Sequence, residues 1–358
     1  MTSKPLPRPT RSSVAIRPWL QRNLFNGWFN SLLTIALLIV LGGAAINLMR
    51  WATTQAQWAV VTTNFRLFLV GRYPVDQLWR VWTALAIVLG LIGFWVSTGR
   101  RQRAAGRIKA QRPLPPLLLP LVFLLILWLL GGGLGLSRVG TNLWGGLLLT
   151  LIVAVISTVL AFPLGVLLAL GRQSSLPVVQ GFSTVYIELM RGLPLIGILF
   201  MAQVMLPLVL PGQPNIDRVV RAIAGLVLFN AAYLAESVRG GLQSIPRGQT
   251  EAARALGFNL PLTLYLIILP QALRIAIPAI VGQFISLFKD TSLLALFALL
   301  ELTGMARSIL AQPQFLGRYA EVYLFVGLLY WVFCYTLSML SRRLEASGGS
   351  IHSRHTTR

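Results

Sequence analysis

Residues 143–170 read LWGGLLLTLIVAVISTVLAFPLGVLLAL, a run with no acidic or basic side chain. About 20 apolar residues in a helix cross the hydrocarbon core of a bilayer, so this run is long enough to span one. Its apolar residues are continuous. A lipid-spanning β-barrel would instead show short segments alternating between apolar and polar. Working outward, seven more apolar runs are found at 28–49, 79–98, 117–136, 192–210, 219–238, 273–299 and 322–341. The expectation is an all-α integral membrane protein with eight transmembrane helices. Composition agrees: 56% of residues are hydrophobic and 11% charged, too little charge to cover a soluble surface.

The formal net charge is +22, and its distribution decides what it means. Lys4, Arg8, Arg11, Arg17 and Arg22 precede the first run, and Arg100, Arg101, Arg103, Arg107, Lys109 and Arg112 fill one loop. Arg342, Arg343, Arg354 and Arg358 follow the last run. Basic clusters just outside apolar spans orient a chain with those clusters in the cytoplasm. Eight crossings put all three clusters on the inner face, N-in and C-in, whereas seven or nine would misplace one end. The outer loops then hold little charge, as at Arg138, or mixed charge, as at Asp217 with Arg218. This pattern predicts anionic membrane lipids as partners and no nucleic acid. The first run is too deep and too long for a cleavable leader.

Other chemistries find no support. The single cysteine, Cys334, lies in an apolar run, and both histidines, His352 and His355, sit in the polar tail. No nucleophile–base set or metal cluster emerges. None of the three lysines (Lys4, Lys109, Lys289) ends a glycine-rich phosphate loop, so the chain carries no ATPase site of its own.

The layout divides into an N-terminal tail and two spans with the basic loop (1–116), a third span (117–140), a five-span module (141–345) and a tail (346–358). Pro113-Leu114-Pro115-Pro116 reads as a hinge. The segment 239–271, on the predicted inner face, is broken at Pro246, Gly248, Gly257, Pro261 and Pro270. Alanines at 252, 253 and 255 favour helix, Gly257 permits a left-handed stop, and Pro261 suits the start of another helix. A short helix–turn–helix across the inner face is expected.

That segment spells Glu251-Ala252-Ala253, Gly257, Ile267, Leu269 and Pro270, the E-A-A-x3-G-x9-I-x-L-P pattern. It resembles the permease subunits of bacterial ABC importers. Tyr186–Leu195, Ala231–Glu236, Arg239-Gly240-Gly241 and Phe284–Leu293 look like the polar amino acid branch, so the resemblance covers about 140–345. With three extra N-terminal spans, the chain is similar to permeases for polar or general L-amino acids in the bacterial inner membrane. The resemblance implies a cytoplasmic ABC ATPase dimer that hydrolyses ATP, with no cofactor bound by this chain. It also implies a periplasmic amino acid-binding protein and a second permease, either another copy or a related chain. Glu251, Ala252, Ala253, Gly257, Ile267, Leu269 and Pro270 would form the ATPase-coupling element.

Ionisable residues inside spans are candidates for the translocation path. Glu188 and Arg191 share a helix face near the inner end of the fifth span, and Glu236 and Arg239 repeat the spacing in the sixth. Either pair serves the path or acts as an internal ion pair. Lys289 and Asp290, in the outer part of the seventh span, either complement the carboxylate and ammonium of an amino acid or lock helices together. Gln203, Asn230 and Gln283 are further path candidates or interhelical hydrogen-bond partners. A secondary transporter using these charges is the alternative, and it needs no coupling segment.

Overall fold

The computed structural model describes residues 16–104, 118–209 and 216–349. The Pro113–Pro116 hinge with its 116/117 boundary, most of the terminal basic residues, and Arg107, Lys109 and Arg112 lie outside them. The regular elements among the described residues are helical, with three isolated β-bridges and no strand. The chain forms two compact units, Met1–Trp58 and Ala59–Arg358. The first contains helix α1 (Trp28–Thr54), long and apolar enough to cross a membrane.

In the second unit, α2 (Leu78–Ala104), α4 (Gly146–Arg172), α7 (Arg218–Gln243), α9 (Leu269–Asp290) and α11 (Tyr319–Gly349) also carry spans of that kind. Six such spans are therefore present among the described residues. The two other apolar runs take different forms.

Run 117–136 is helical only over α3 (Leu118–Gly131). Gly132, Gly133, Leu134 and Gly135 have φ of 76°, 104°, 49° and 96°, which no right-handed helix accommodates. Run 192–210 does not begin its own straight span. Pro194 forces Leu193 into an extended conformation, φ −95° and ψ 141°. The chain turns 102° there, between α5 (Pro177–Gly192) and an apolar segment that opens with α6 (Leu195–Phe200) and ends at Val209. Glu188 and Arg191 therefore lie on α5, the first arm of this bent pair, and not on the apolar segment that follows the bend.

The connection after α7 is also shorter than expected. α7 continues to Gln243, and a helical path resumes at Leu260, passes a π-turn at Leu264–Ile268 and runs on into α9. Only 244–259, carrying α8 (Arg247–Ala255), lies between them. At the far end α9 stops at Asp290, and a 3-10 turn, Thr291–Phe297, leads to Ala298 in the left-handed region. α10 (Leu302–Leu310) follows.

α7 is the central helix. Of its most apolar 18 residues 61% are buried, against 33% for α4 and 11% for α11. α4 and α7 run parallel: Arg172, at the C-terminal end of α4, meets Glu236 near the end of α7, and Trp144 and Asp217 share a cavity at their N-terminal ends. α9 runs antiparallel to α7. Gln283 bonds Asn230, and Gly241, eleven residues on along α7, packs on Ala272, eleven residues back along α9. A Cβ at Gly241 would stand 2.4 Å from the Ala272 carbonyl oxygen, so glycine is what lets these two backbones touch.

Candidate functional site

α8 is built by strong local signals. Pro246 precedes it, and its C-terminus closes by two backbone bonds: Phe258 N–H donates to Ala253 O at 3.1 Å and Gly257 N–H to Arg254 O at 2.9 Å. That closure requires a left-handed residue, and Gly257 supplies it with φ +82°. Asn259 then caps the next turn, accepting from Leu262 N–H at 3.0 Å, with Pro261 in the first turn. The result is a short helix, a tight turn and a rising helix.

The candidate residues divide between these parts. Glu251 and Ala252 are exposed, while Ala253 is buried and packs back onto its own chain. Ile267, Leu269 and Pro270 sit on the rising helix. Leu256, 77% exposed beside Gly257, is an apolar surface residue that reading the motif alone missed. Its signal was a leucine placed at the helix stop, just before the glycine.

A charge cluster joins α4, α5 and α7. Arg172 donates to Glu188 Oε1 at 2.7 Å through Nη2 and to Glu236 Oε1 through Nη1. Arg191 Nη1 stands 3.5 Å from Glu236 Oε1, and Arg239 Nη2 2.7 Å from Glu236 Oε2. Arg239 also donates to Gln243 Oε1 at 2.8 Å, and the Arg191 guanidinium lies 5.7 Å from the Tyr233 ring centre. Glu236 thus receives three arginines. The Glu236–Arg239 pair forms as its spacing predicts. Glu188 and Arg191 pair instead with residues on other helices. Arg172 is the member that sequence reading missed, although a basic residue closing a long apolar helix was its visible signal.

The remaining candidates are separated. Asn230 is fully buried in α7, donates to Leu226 O at 2.9 Å and accepts from Gln283 Nε2 at 2.8 Å. Gln203 is buried; its Nε2 donates to Arg218 O at 2.8 Å, and its backbone oxygen accepts from Arg221 Nη1 at 2.6 Å. Lys289 is exposed and Asp290 half-buried at the end of α9, and neither forms an ion pair among the described residues. The structure does not bring Lys289, Asp290, Gln203, Asn230, Gln283, Glu188 and Arg191 together into one site.

Residues 161–347, which hold α8, the charge cluster and the antiparallel α7–α9 pair, match the family described as the binding-protein-dependent transport system inner membrane component. The chain belongs to that family. It is accordingly a permease, the membrane transport subunit and not itself the ATPase. It is 41% identical to the inner membrane amino-acid ABC transporter permease protein YhdY of Escherichia coli (strain K12), across 95% of both chains. It is 36% identical, again over 95% of both, to the glutamate/glutamine/aspartate/asparagine transport system permease protein BztC of Rhodobacter capsulatus. Among solved structures it resembles an amino acid ABC transporter crystallised with histidines, at a TM-score of 0.51 and 30% identity, over 56% of this chain and 92% of that one.

The permease also contains a buried carboxyl group that no spacing rule singled out. Glu301, between the two last spans, is fully buried and caps α10, accepting from Thr303 N–H and Gly304 N–H at 2.8 Å each. Tyr330 O–H from α11 donates to it at 3.2 Å, and the adjacent Leu302 N–H donates to Thr150 Oγ1 of α4 at 3.0 Å. Burial pushes the carboxyl up to about 7, against the opposing pull of these hydrogen bonds. Because the folded value lies above the unfolded one, its contribution to stability is complete below the ordinary value of 4.5 and is lost as pH rises through 7. The upper bound is on the order of 3 kcal/mol. Thermal unfolding of the permease is expected to shift downward between pH 5 and 8, and Glu301→Gln to flatten that shift. Equal pH slopes for the two proteins would rule Glu301 out as its source.

Proposed function

We propose that this permease carries polar L-amino acids into a bacterial cell as the membrane half of an ATP-driven importer. The observation that carries the reading is α8 with its left-handed stop at Gly257, inside the region that matches the transport family. The substrate class rests on relatives named for amino acids and, for one of them, for glutamate, glutamine, aspartate and asparagine.

The chain crosses the inner membrane eight times with both termini in the cytoplasm. In this reading the six long spans and the bent pair counted once are joined by the short α3 as the eighth crossing. The parallel α4 and α7 and antiparallel α9 fit alternate crossings in that order. α8 then faces the cytoplasm, where Glu251, Ala252 and Leu256 meet an ABC ATPase dimer that hydrolyses the ATP, and this chain binds no cofactor. A second permease, another copy or a related chain, completes the pathway, and a periplasmic binding protein delivers substrate. Lys289 and Asp290, near the outer end of α9, meet the substrate's carboxylate and ammonium. The buried Asn230–Gln283 and Gln203 contacts favour packing roles for those three.

The substrate class is tested in proteoliposomes holding the full complex. Labelled glutamine or glutamate is expected to accumulate only when the binding protein is added outside, and an excess of asparagine or aspartate to compete. Accumulation indifferent to the binding protein, or to every amino acid offered, would defeat the reading.

A further inference from the structure

At the N-terminal ends of α4 and α7 lies a cavity of about 180 Å³, lined among others by Asn142, Trp144, Asp217, Arg218 and Ala298. It is smaller than the roughly 300–1,000 Å³ of drug-sized sites and suits one small molecule. Four features set it apart from an ordinary surface crevice.

First, Trp144 forms part of its wall with 8% of its surface exposed, and its indole N–H is buried with no acceptor among the described residues. A buried donor left unpaired is destabilising, a cost that a ligand's acceptor atom removes. Second, Ala298, another lining residue, holds φ 55° and ψ 31°, a left-handed conformation unfavourable for a residue with a side chain. Third, Asp217 is fixed rather than floppy: it accepts from Val219 N–H at 2.7 Å and from Thr141 Oγ1. Fourth, Arg218 braces the strained turn by donating from Nη2 to Phe297 O at 2.7 Å. That bond uses one of the five N–H donors of a guanidinium. Gln203 Nε2 donates to the Arg218 carbonyl oxygen at 2.8 Å.

One anionic and one cationic side chain, adjacent in sequence and joined by an orphaned N–H donor, match a zwitterion. We propose that this cavity is a receiving site for a free α-amino acid, with its carboxylate on Arg218 and the Trp144 N–H and its ammonium on Asp217. The assignment deepens the importer reading and rests on its topology, which puts the cavity on the outer face. It lies at the helix N-termini and takes Ala298 from the turn that follows α9, while Lys289 and Asp290 are not among its lining residues.

The site is tested by placing a thiol in it. Asn142→Cys is introduced into the full complex, in a chain whose only other thiol is Cys334, and modification by a soluble thiol reagent is followed by mass spectrometry. No ATP or binding protein is present in the labelling reaction. Saturating L-glutamine is expected to slow labelling at least about threefold, while its decarboxylated amine does not. Trp144→Phe, which deletes the N–H and keeps the apolar wall, is expected to raise the concentration needed for protection about tenfold, the effect of one hydrogen bond to a charged group. Arg218→Lys serves as the second variant, since lysine keeps the charge and loses the fork. Labelling that L-glutamine leaves unchanged, in a complex that still imports it with ATP, would overturn the site. So would protection that both variants retain in full. A complex that imports no amino acid at all defeats the importer reading instead, a result separable from the labelling.

Discussion

Replacing Glu236 with glutamine is expected to lower the thermal stability of the permease and to reduce ATP-driven uptake at least about tenfold. Glu236 is ion-paired with Arg172, Arg191 and Arg239, three cations on three helices, with its own side chain 17% exposed. With Glu188 the five groups sum to one positive charge, and without the Glu236 charge they sum to two, crowded around a neutral amide. Breaking a fully buried ion pair costs about 3–5 kcal/mol. Here the arginine side chains are 25–37% exposed, so water screens part of the loss and about 1–2 kcal/mol is the fitting scale. Glu188→Gln provides the contrast. Its side chain is 55% exposed and pairs with Arg172 alone among the described residues, so less than about 1 kcal/mol is expected. The ranking is read by thermal unfolding of both variants. Equal losses, or a larger one at Glu188, would show that Glu236 is not the centre of the cluster.

The second large effect is at the turn after α8. Leu256→Glu is expected to abolish ATP-driven uptake while leaving insertion and unfolding temperature close to wild type. The side chain is 77% exposed, so the stability change stays within about 0.5 kcal/mol. Gly257→Asp acts next to it. A Cβ at Gly257 would meet no atom within 4 Å, so no clash arises, and the φ of +82° costs of order 1–2 kcal/mol in backbone strain. Both variants therefore separate coupling from folding. Uptake and unfolding measured on the same preparation check this, and uptake that survives Leu256→Glu would place the ATPase contact elsewhere.

Much of this arrangement could be read from residue order, because lipid leaves few options for a backbone. Run 143–170 became α4 within three residues at its start and two at its end. Gly257 and Pro261 announced the turn after α8 because each acts through its own backbone. The misses have a common cause in tertiary context. A single proline, Pro194, turned one apparent span into a bent pair, and hydropathy averaged over a window cannot register a 102° change of direction. The positive φ values after Gly131 cut α3 short in the same way. Helical spacing set Glu188 against Arg191, yet Arg172, sixteen residues upstream, took Glu188 because α4 and α5 pack together. Glu301 and Trp144 were invisible for a similar reason: a buried carboxyl and an orphaned indole N–H acquire meaning only from what surrounds them.

The most direct test of the account is amino acid uptake into proteoliposomes holding the complete complex, with and without ATP on the ATPase side, for wild type and Gly257→Asp. Wild type is predicted to accumulate labelled substrate above the external concentration only with ATP, and the variant to insert normally and accumulate none. Accumulation without ATP, or undiminished accumulation by the variant, would contradict coupling through α8 and favour a transporter driven by its own intramembrane charges.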